Sequence, residues 1–420
     1  MNRLILHIDF DSYFASCEQQ FNPNLRGIPI GVTATNGRTC IIAASKEAKK
    51  LGIKSPSVTW EALQIVPNMT FVPAHFTKYW EITQKFLNIC KDYSPYVELF
   101  SLDEVFIDIT NSEHLFGGKE GIVKAIKERI KNEIGEYITV SIGISYNKLL
   151  AKLGSGINKP NGVFEIEKEN LDEVYSKIKL TDVCGIGDRI AIRLNKLGIY
   201  NFLQLRDMPT NTLKKEFGNV EADFLQMLAF GIDERSVIPY FLEEEVKSIG
   251  RNYCLPHNEY DKRVIFQNVY ELCEEIALKL RRLNKQAKTA FIYLGGTKNV
   301  HARKTVTEYF ESGKDLFNIC NLILSEHNFI LDSEDYIRRI SIGASSLINS
   351  SNTTLTLFEN EKKTHNLLKA IDRLNDKFGD HTIRNGFLLY ADKLTTVPNG
   401  YMADKFERTK LADTTRSSFI

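Results

Sequence analysis

The stretch "LFSLDEVFIDIT", residues 99 to 110, constrains this chain more than any other. It reads as one apolar β-strand with two adjacent carboxylates, Asp103 and Glu104, set into it. Ionised carboxylates are costly to bury unless they are paired. Two readings meet that cost. Either the pair sits at a strand end or edge and faces water, or a cation lies against it. The first strand, "RLILHIDF" over residues 3 to 10, poses the same question, because the chain there runs "HIDFD". Asp11 fits an ordinary helix N-cap. Asp9 has apolar neighbours on both sides and does not. Asp9, Asp103 and Glu104 can then come from two strands of one sheet, where like charges stay ionised only if a cation neutralises them. Oxygen-only ligation with room for water and phosphate suits Mg²⁺, and two such ions can activate a hydroxyl and stabilise a departing pyrophosphate. Spacing alone leaves both readings open.

Other metal chemistry finds little support. The seven cysteines (17, 40, 90, 184, 254, 273, 320) are odd in number and widely spaced, and the eight histidines show no pair at ligand spacing. Reduced thiols in a cytosol are expected rather than a zinc site or a disulfide framework. A cytoplasmic location and no membrane partner are also expected. An acidic residue interrupts "MNRLILHIDFD" where a signal peptide needs its apolar core. No apolar run approaches the roughly 18 residues of a membrane span.

At 420 residues the chain exceeds one ordinary core, so two to four domains are expected. Helices are predicted over "SYFASCEQQF", "SKEAKKLG", residues 77 to 93, residues 119 to 134 and "YNKLLAKLGSGI". Between them lie the strands "IPIGVTA" and "TCIIAAS", joined by the turn "TNGR", and the later strands 99 to 110, "ITVSIGIS" and "GVFEI". This alternation indicates a mixed sheet-and-helix layer. Short helices with Gly punctuation follow from about 168 to 238, and "FLEEEVKSIG" reads as an exposed connector. Residues 248 to 347 contain two strand-helix-strand halves, "SSLINSSNTT" has linker composition, and the remainder is polar with modest helical content.

Net charge is only +1, but its distribution is uneven. Residues 279 to 304 carry eight Lys/Arg and no acid, and residues 21 to 76 carry six against two Glu. Segments of single sign suit anionic partners as well as a plainly basic surface. A second motif bears on that choice. "DVCGIGDRIAIRLNKLGI", residues 182 to 199, reads as helix, Gly-x-Gly turn, helix. Gly185 and Gly187 leave backbone N–H groups exposed for phosphate, and the frame resembles helix-hairpin-helix modules that grip a nucleic-acid backbone without reading sequence.

Taken in order, "DFDSYFASCE", "SLDE", "VSIGISYNKLLAKLGSGINKPNG", "VCGIGDRIAIRLNKLGI" and "KSIGR" resemble the Y-family (DinB/UmuC-type) translesion DNA polymerases across essentially the whole chain. The resemblance implies an α+β multidomain right hand. Its parts are a palm (1–18 and 77–168), fingers (19–76), a helix-hairpin-helix thumb (169–238), a linker (239–247), a separate α/β little finger (248–347) and a tail (348–420). It implies a low-fidelity, template-directed DNA polymerase acting on primer-template DNA and deoxynucleoside triphosphates, with two Mg²⁺ ions as cofactor. Asp9, Asp103 and Glu104 are then the catalytic, metal-binding triad, with the Phe10 carbonyl as a further ligand. Phe14 falls at the steric gate under the incoming sugar, with Tyr13 as the competing ring. Lys159 and Lys49 fall on the triphosphate. Where DinB-type members place a Thr and a Tyr against phosphate, this chain has Ala43 and Lys46; a lysine brings charge there but not the phenol's geometry. Small Cys40 and Ala43 suit a roomy pocket over the nascent pair.

DNA contacts are expected from Gly185, Gly187, Arg281, Arg282, Lys285, Lys288, Arg303 and Arg338. "TLTLFEN" is similar to the sliding-clamp-binding peptide, with Leu355, Leu357 and Phe358 as anchors over residues 354 to 358. The ending "GYMADKFERTKLADTTRSSFI" is closer to UmuC, which makes a UmuD-like accessory subunit an implied partner, whereas "KPNG" and "KSIGR" are nearer DinB. A non-catalytic DNA- and clamp-binding adaptor is the alternative, weakened by the presence of all three carboxylates. A nucleotidyl cyclase shares paired carboxylates on a palm-like sheet but would lack the hairpin motif and the basic C-terminal module.

Overall fold

Asp9 belongs to the central strand of a five-stranded sheet whose apolar strands are covered on both faces. In the computed structural model, residues 3–33, 40–242, 245–350, 359–379, 382–389 and 391 are described. The chain divides into two units between residues 243 and 244. Strands of the first unit are β1 (Ile5–Phe10), β2 (Ile30–Thr33), β3 (Cys40–Ala44), β4 (Ser57–Val58), β5 (Thr70–Pro73), β6 (Val97–Leu99), β7 (Glu104–Asp108), β8 (Val140–Ser145) and β9 (Val163–Ile166). Its first helices are α1 (Tyr13–Phe21), α2 (Lys46–Lys50), α3 (Thr59–Ile65), α4 (Phe76–Lys91), α5 (Gly118–Arg129) and α6 (Lys148–Ile157).

The central sheet runs β6-β7-β1-β8-β9, with β1 antiparallel to both neighbours. All six residues of β8 are buried, including Ser141 and Ser145. Gly143 lets α6 lie against β8, since a Cβ there would meet the Ala151 carbonyl at 1.9 Å. Asn147 caps α6 by accepting from the Leu150 N–H at 2.9 Å. A separate sheet, β4-β3-β2-β5, packs with α2 and α3 around Ile41, Ala48, Ala62 and Met69.

Three local expectations change. Residues 99–110 are not one strand: β6 ends at Leu99, the chain turns, and β7 begins at Glu104. The N–H groups of Phe100 and Ser101 both bond to the Glu104 carbonyl, at 3.1 and 3.2 Å, which closes the turn. Asp11 is not a helix cap. Ser12, with φ of 53°, precedes α1, and the Asp11 carboxylate points to β8 instead. The helix predicted over 119 to 134 ends as α-helix at Arg129 and continues as one π-helical turn, Ile130–Ile134.

Beyond the sheet, α7 (Leu171–Lys177), α8 (Asp188–Lys196), α9 (Phe202–Asp207), α10 (Thr210–Phe217) and α11 (Asn219–Ala229) enclose a core of Leu194, Ile199, Phe202, Leu205, Leu213 and Leu225. The helix expected before the glycine turn is one 3-10 turn, Leu180–Asp182.

The second unit contains β10 (Ser248–Glu259), α12 (Lys262–Arg282), β11 (Lys285–Gly296), β12 (Asn299–Phe310), α13 (Gly313–Glu326), β13 (Ile337–Ser345) and β14 (Ile348–Asn349). Its sheet runs β10-β13-β11-β12, and α12 and α13 cover one face around Ile265, Ile276, Ile292, Cys320 and Ile342. The expected linker starts later than its composition indicates, because β14 pairs with Lys285 and Gln286. The polar tail is also more ordered than expected. It forms the 20-residue helix α14 (Glu359–Phe378), anchored by Asp372 to Arg281 and by Asp376 to Arg282. No helix among the described residues is long and apolar enough to cross a membrane.

Candidate active site

The register of β1 sets the site. Asp9 lies opposite Glu104 of β7 on one side and Ser141 of β8 on the other. Cross-strand partners share a sheet face, so Asp9 and Glu104 are neighbours by construction. Asp103 joins them through the turn: the Phe10 N–H donates to the Asp103 carbonyl at 3.0 Å, and Ser101 Oγ donates to its carboxylate at 2.5 Å. Phe10 ends the strand, its ring stacked on Tyr13 and tilted against Phe86.

Each of two carboxylates has a lysine. Lys159 Nζ lies 2.5 Å from Asp9, and Lys152 Nζ, one turn along α6 from Lys148, lies 2.5 Å from Glu104. Burial pushes the Asp9 carboxyl up to about 7, with repulsion from Glu104 and Asp103 adding to it and Lys159 opposing. Burial raises Asp103 as well. Burial also works against ionising Glu104, but His7 and Lys152 outweigh it and hold that carboxyl low.

His7 and Lys152 are functional neighbours that sequence reasoning missed. His7 is fully buried two residues before Asp9, on the same face of β1. Ser155 Oγ lies 2.7 Å from His7 Nδ1 and bonds the Lys152 carbonyl at 2.8 Å. His7 Nε2 faces Glu104 at 3.6 Å. A buried histidine at period two from Asp9 was the available signal.

Tyr13 and Phe14 part company. Tyr13 is 4% exposed, and its hydroxyl donates to the Tyr79 carbonyl at 2.6 Å, so it is turned into the core. Phe14 is half-buried and packs beside Ile30, Val32 and Ala43. Lys46 donates to Thr139 Oγ1 at 2.7 Å. Lys49 is exposed on α2 and feels the charges of Lys159, Asp9, Asp11 and Asp103.

In the helical region, Val183 and Ile186 are buried while Gly185 and Gly187 face out, which presents the turn's backbone to solvent. Gly185 has φ of 112° and lies against Phe224, so a side chain there is excluded twice over.

The basic residues of the second unit do not form one surface. Arg281 makes two bonds to Asp372, at 2.6 and 2.7 Å, and Arg282 bonds Asp376 at 2.8 Å. Both are engaged by α14. Lys285 reaches Glu245 at 3.4 Å, and Lys288 lies over the Tyr309 ring. Arg303 is exposed on β12, opposite Phe291. Arg339 is exposed and lies opposite Gly295, whereas Arg338 is half-buried at a bulge where the register of β13 against β11 shifts. Leu355, Leu357 and Phe358 lie outside the described residues.

A hard divalent cation fits the chemistry of this donor set, since Asp9, Asp103 and Glu104 offer only oxygen and burial disfavours their charge without a counter-ion. Among the described residues no three His, Cys, Asp or Glu side chains form a ready-made cage. Lysines hold Asp9 and Glu104 in their place.

Comparison with known proteins places this geometry in context. The model of the impB/mucB/samB family matches residues 8–156, and that of its C-terminal domain matches residues 246–357. DNA polymerase IV of Pelotomaculum thermopropionicum is 31% identical over 383 residues, covering 90% of this chain and 94% of the relative. DNA polymerase IV of Clostridium perfringens is 32% identical over 328 residues, 76% of this chain and 90% of the relative. Among solved structures, a Y-family DNA polymerase chimera of Dbh and Dpo4 superposes with a TM-score of 0.69 at 26% identity, covering 82% of this chain and 99% of that one.

Proposed function

Because the chain belongs to the Y-family of DinB/UmuC-type DNA polymerases and is a DNA-directed DNA polymerase, we propose that it copies past damaged template bases at low fidelity, with two Mg²⁺ ions. The observation that carries the chemistry is the pairing of Asp9 with Glu104 across β1 and β7, with Asp103 tied beside them. Asp9, Asp103, Glu104 and the Phe10 carbonyl would hold the metal. It would make the primer hydroxyl a better nucleophile and neutralise the departing pyrophosphate.

The chain's own residues prepare that event. Lys159 neutralises Asp9 in the absence of substrate. An incoming triphosphate offers more negative charge, draws the ammonium to itself, and frees Asp9 as a ligand. Lys152 and His7 keep Glu104 ionised and oriented. Lys46 and Lys49 add positive charge from the fingers side. Phe14 lies under the sugar as the steric gate.

The palm in this reading is 1–18 and 77–168, the fingers 19–76, the thumb 169–238 and the little finger 248–347. The glycine turn of the thumb grips the DNA backbone. Residues 354–358 bind a sliding clamp, and the UmuC-like ending takes a UmuD-like subunit. Primer extension on damaged and undamaged templates, with Mg²⁺ present or chelated, tests the proposal. Extension past the lesion that stops on chelation supports it, and a protein that binds DNA without extending any primer points to the adaptor role.

A further inference from the structure

We infer that Asp11 is a positioning residue that holds both the Lys159 loop and Lys46 where the incoming nucleotide's phosphates arrive; this rests on the polymerase reading above. Asp11 is 2% exposed, yet its carboxylate touches nothing that reacts. Its Oδ2 accepts from the Asn161 backbone N–H at 2.7 Å and from Thr139 Oγ1 at 2.6 Å, and its Oδ1 accepts from Ser141 Oγ at 2.7 Å.

Two of these bonds lead to phosphate-facing lysines. Asn161 lies two residues after Lys159, in a left-handed conformation with φ of 56°, which asparagine adopts more readily than most residues. Lys127 ties the same residue from the other side, donating to the Asn161 carbonyl at 2.7 Å. Thr139 gives its proton to Asp11, so its oxygen is left to accept from Lys46 Nζ at 2.7 Å. One carboxylate thus orders a loop lysine through the backbone and a fingers-side lysine through a hydroxyl relay. Charge-assisted bonds of this kind are roughly twice as strong as neutral ones. An amide at position 11 keeps one acceptor oxygen where three donors converge.

The test is steady-state kinetics of Asp11→Asn with thermal melting as the folding control. The KM for the incoming deoxynucleotide should rise about tenfold or more, as loss of a bond to a charged group implies, with primer-template affinity unchanged. Asp11→Asn added to Lys159→Ala with Lys46→Ala should cost little more than the two lysine changes alone, because it acts through those two lysines. If Asp11→Asn melts early, Thr139→Val removes the relay to Lys46 alone and should raise KM non-additively with Lys46→Ala. A folded Asp11→Asn or Thr139→Val with wild-type KM, or fully additive losses, overturns the inference. Failure of the wild type to extend any primer overturns the polymerase reading and this inference with it.

Discussion

The Phe14 ring lies flat on the Tyr79 ring, with centroids 4.7 Å apart and planes 19° apart, and the Tyr79 hydroxyl is bonded to the buried carboxylate of Glu18. Stacking on a tethered ring fixes the depth and tilt of Phe14. Phe76 lies edge-on to both rings.

A Phe14→Ala variant is expected to stay folded, because the half-buried ring costs less on truncation than the about 3–5 kcal/mol of a fully buried one. It should keep deoxynucleotide insertion and accept ribonucleotides far more readily, since the overlap with a 2′-hydroxyl is gone. Tyr13→Phe should leave sugar selectivity alone and lose about 1 kcal/mol of stability with its hydroxyl bond. Competing incorporation of the two sugars checks both; unaltered selectivity in folded Phe14→Ala sinks the gate.

For the carboxylates, Asp103→Ala or Glu104→Ala should abolish extension and leave primer-template binding nearly intact. Chelating the divalent cation should do the same to the wild type. In the proposed function the chemistry resides at the sheet, and the grip on DNA in basic and backbone groups elsewhere. Filter binding alongside extension separates the two, and substantial activity in the double variant would remove the metal assignment.

Stability tests the support behind the site. Lys148 and Glu98 form a buried ion pair at 2.6 Å, with side chains 9% and 6% exposed, and Glu98 also accepts from the Ile238 N–H at 2.8 Å. Glu98→Ala leaves an unpaired buried ammonium and should cost about 3–5 kcal/mol in denaturant unfolding. Glu98→Leu combined with Lys148→Met should recover most of that loss. A double variant as unstable as Glu98→Ala would show that the charges themselves are not the cause.

On the second unit, Arg303→Ala with Arg339→Ala should flatten the salt dependence of DNA binding, by about 0.9 in log–log slope for each contact removed. Arg281→Ala with Arg282→Ala should leave the slope unchanged and loosen α14 instead. Titration of binding against salt decides it, and the reverse pattern would return the DNA to the helical face.

Much of the fold was legible because its signals are local. The apolar runs of β1 and β8 and the Asn147 cap of α6 each depend on neighbours a few residues away. The helix α14 escaped notice because its anchors, Arg281 and Arg282, lie about ninety residues earlier. Asp11 escaped for the same reason: an N-cap is the nearest use for an aspartate before a helix, and its true partners lie beyond residue 138.

The sequence by itself determined the candidates for the chemistry: three carboxylates on two apolar segments, an aromatic pair after the first, and lysines in flanking segments. Tertiary structure alone decided how they meet. Successive residues of a strand point to opposite faces, so a continuous strand would have sent Asp103 away from Asp9 and Glu104. The turn at 100–103 takes Asp103 out of that alternation, and a backbone bond from Phe10 ties it to the end of β1. The packing of α6 on β1 and β8 likewise brought Lys152 to Glu104. Each of these depends on contacts between residues far apart in sequence, and no local pattern encodes them.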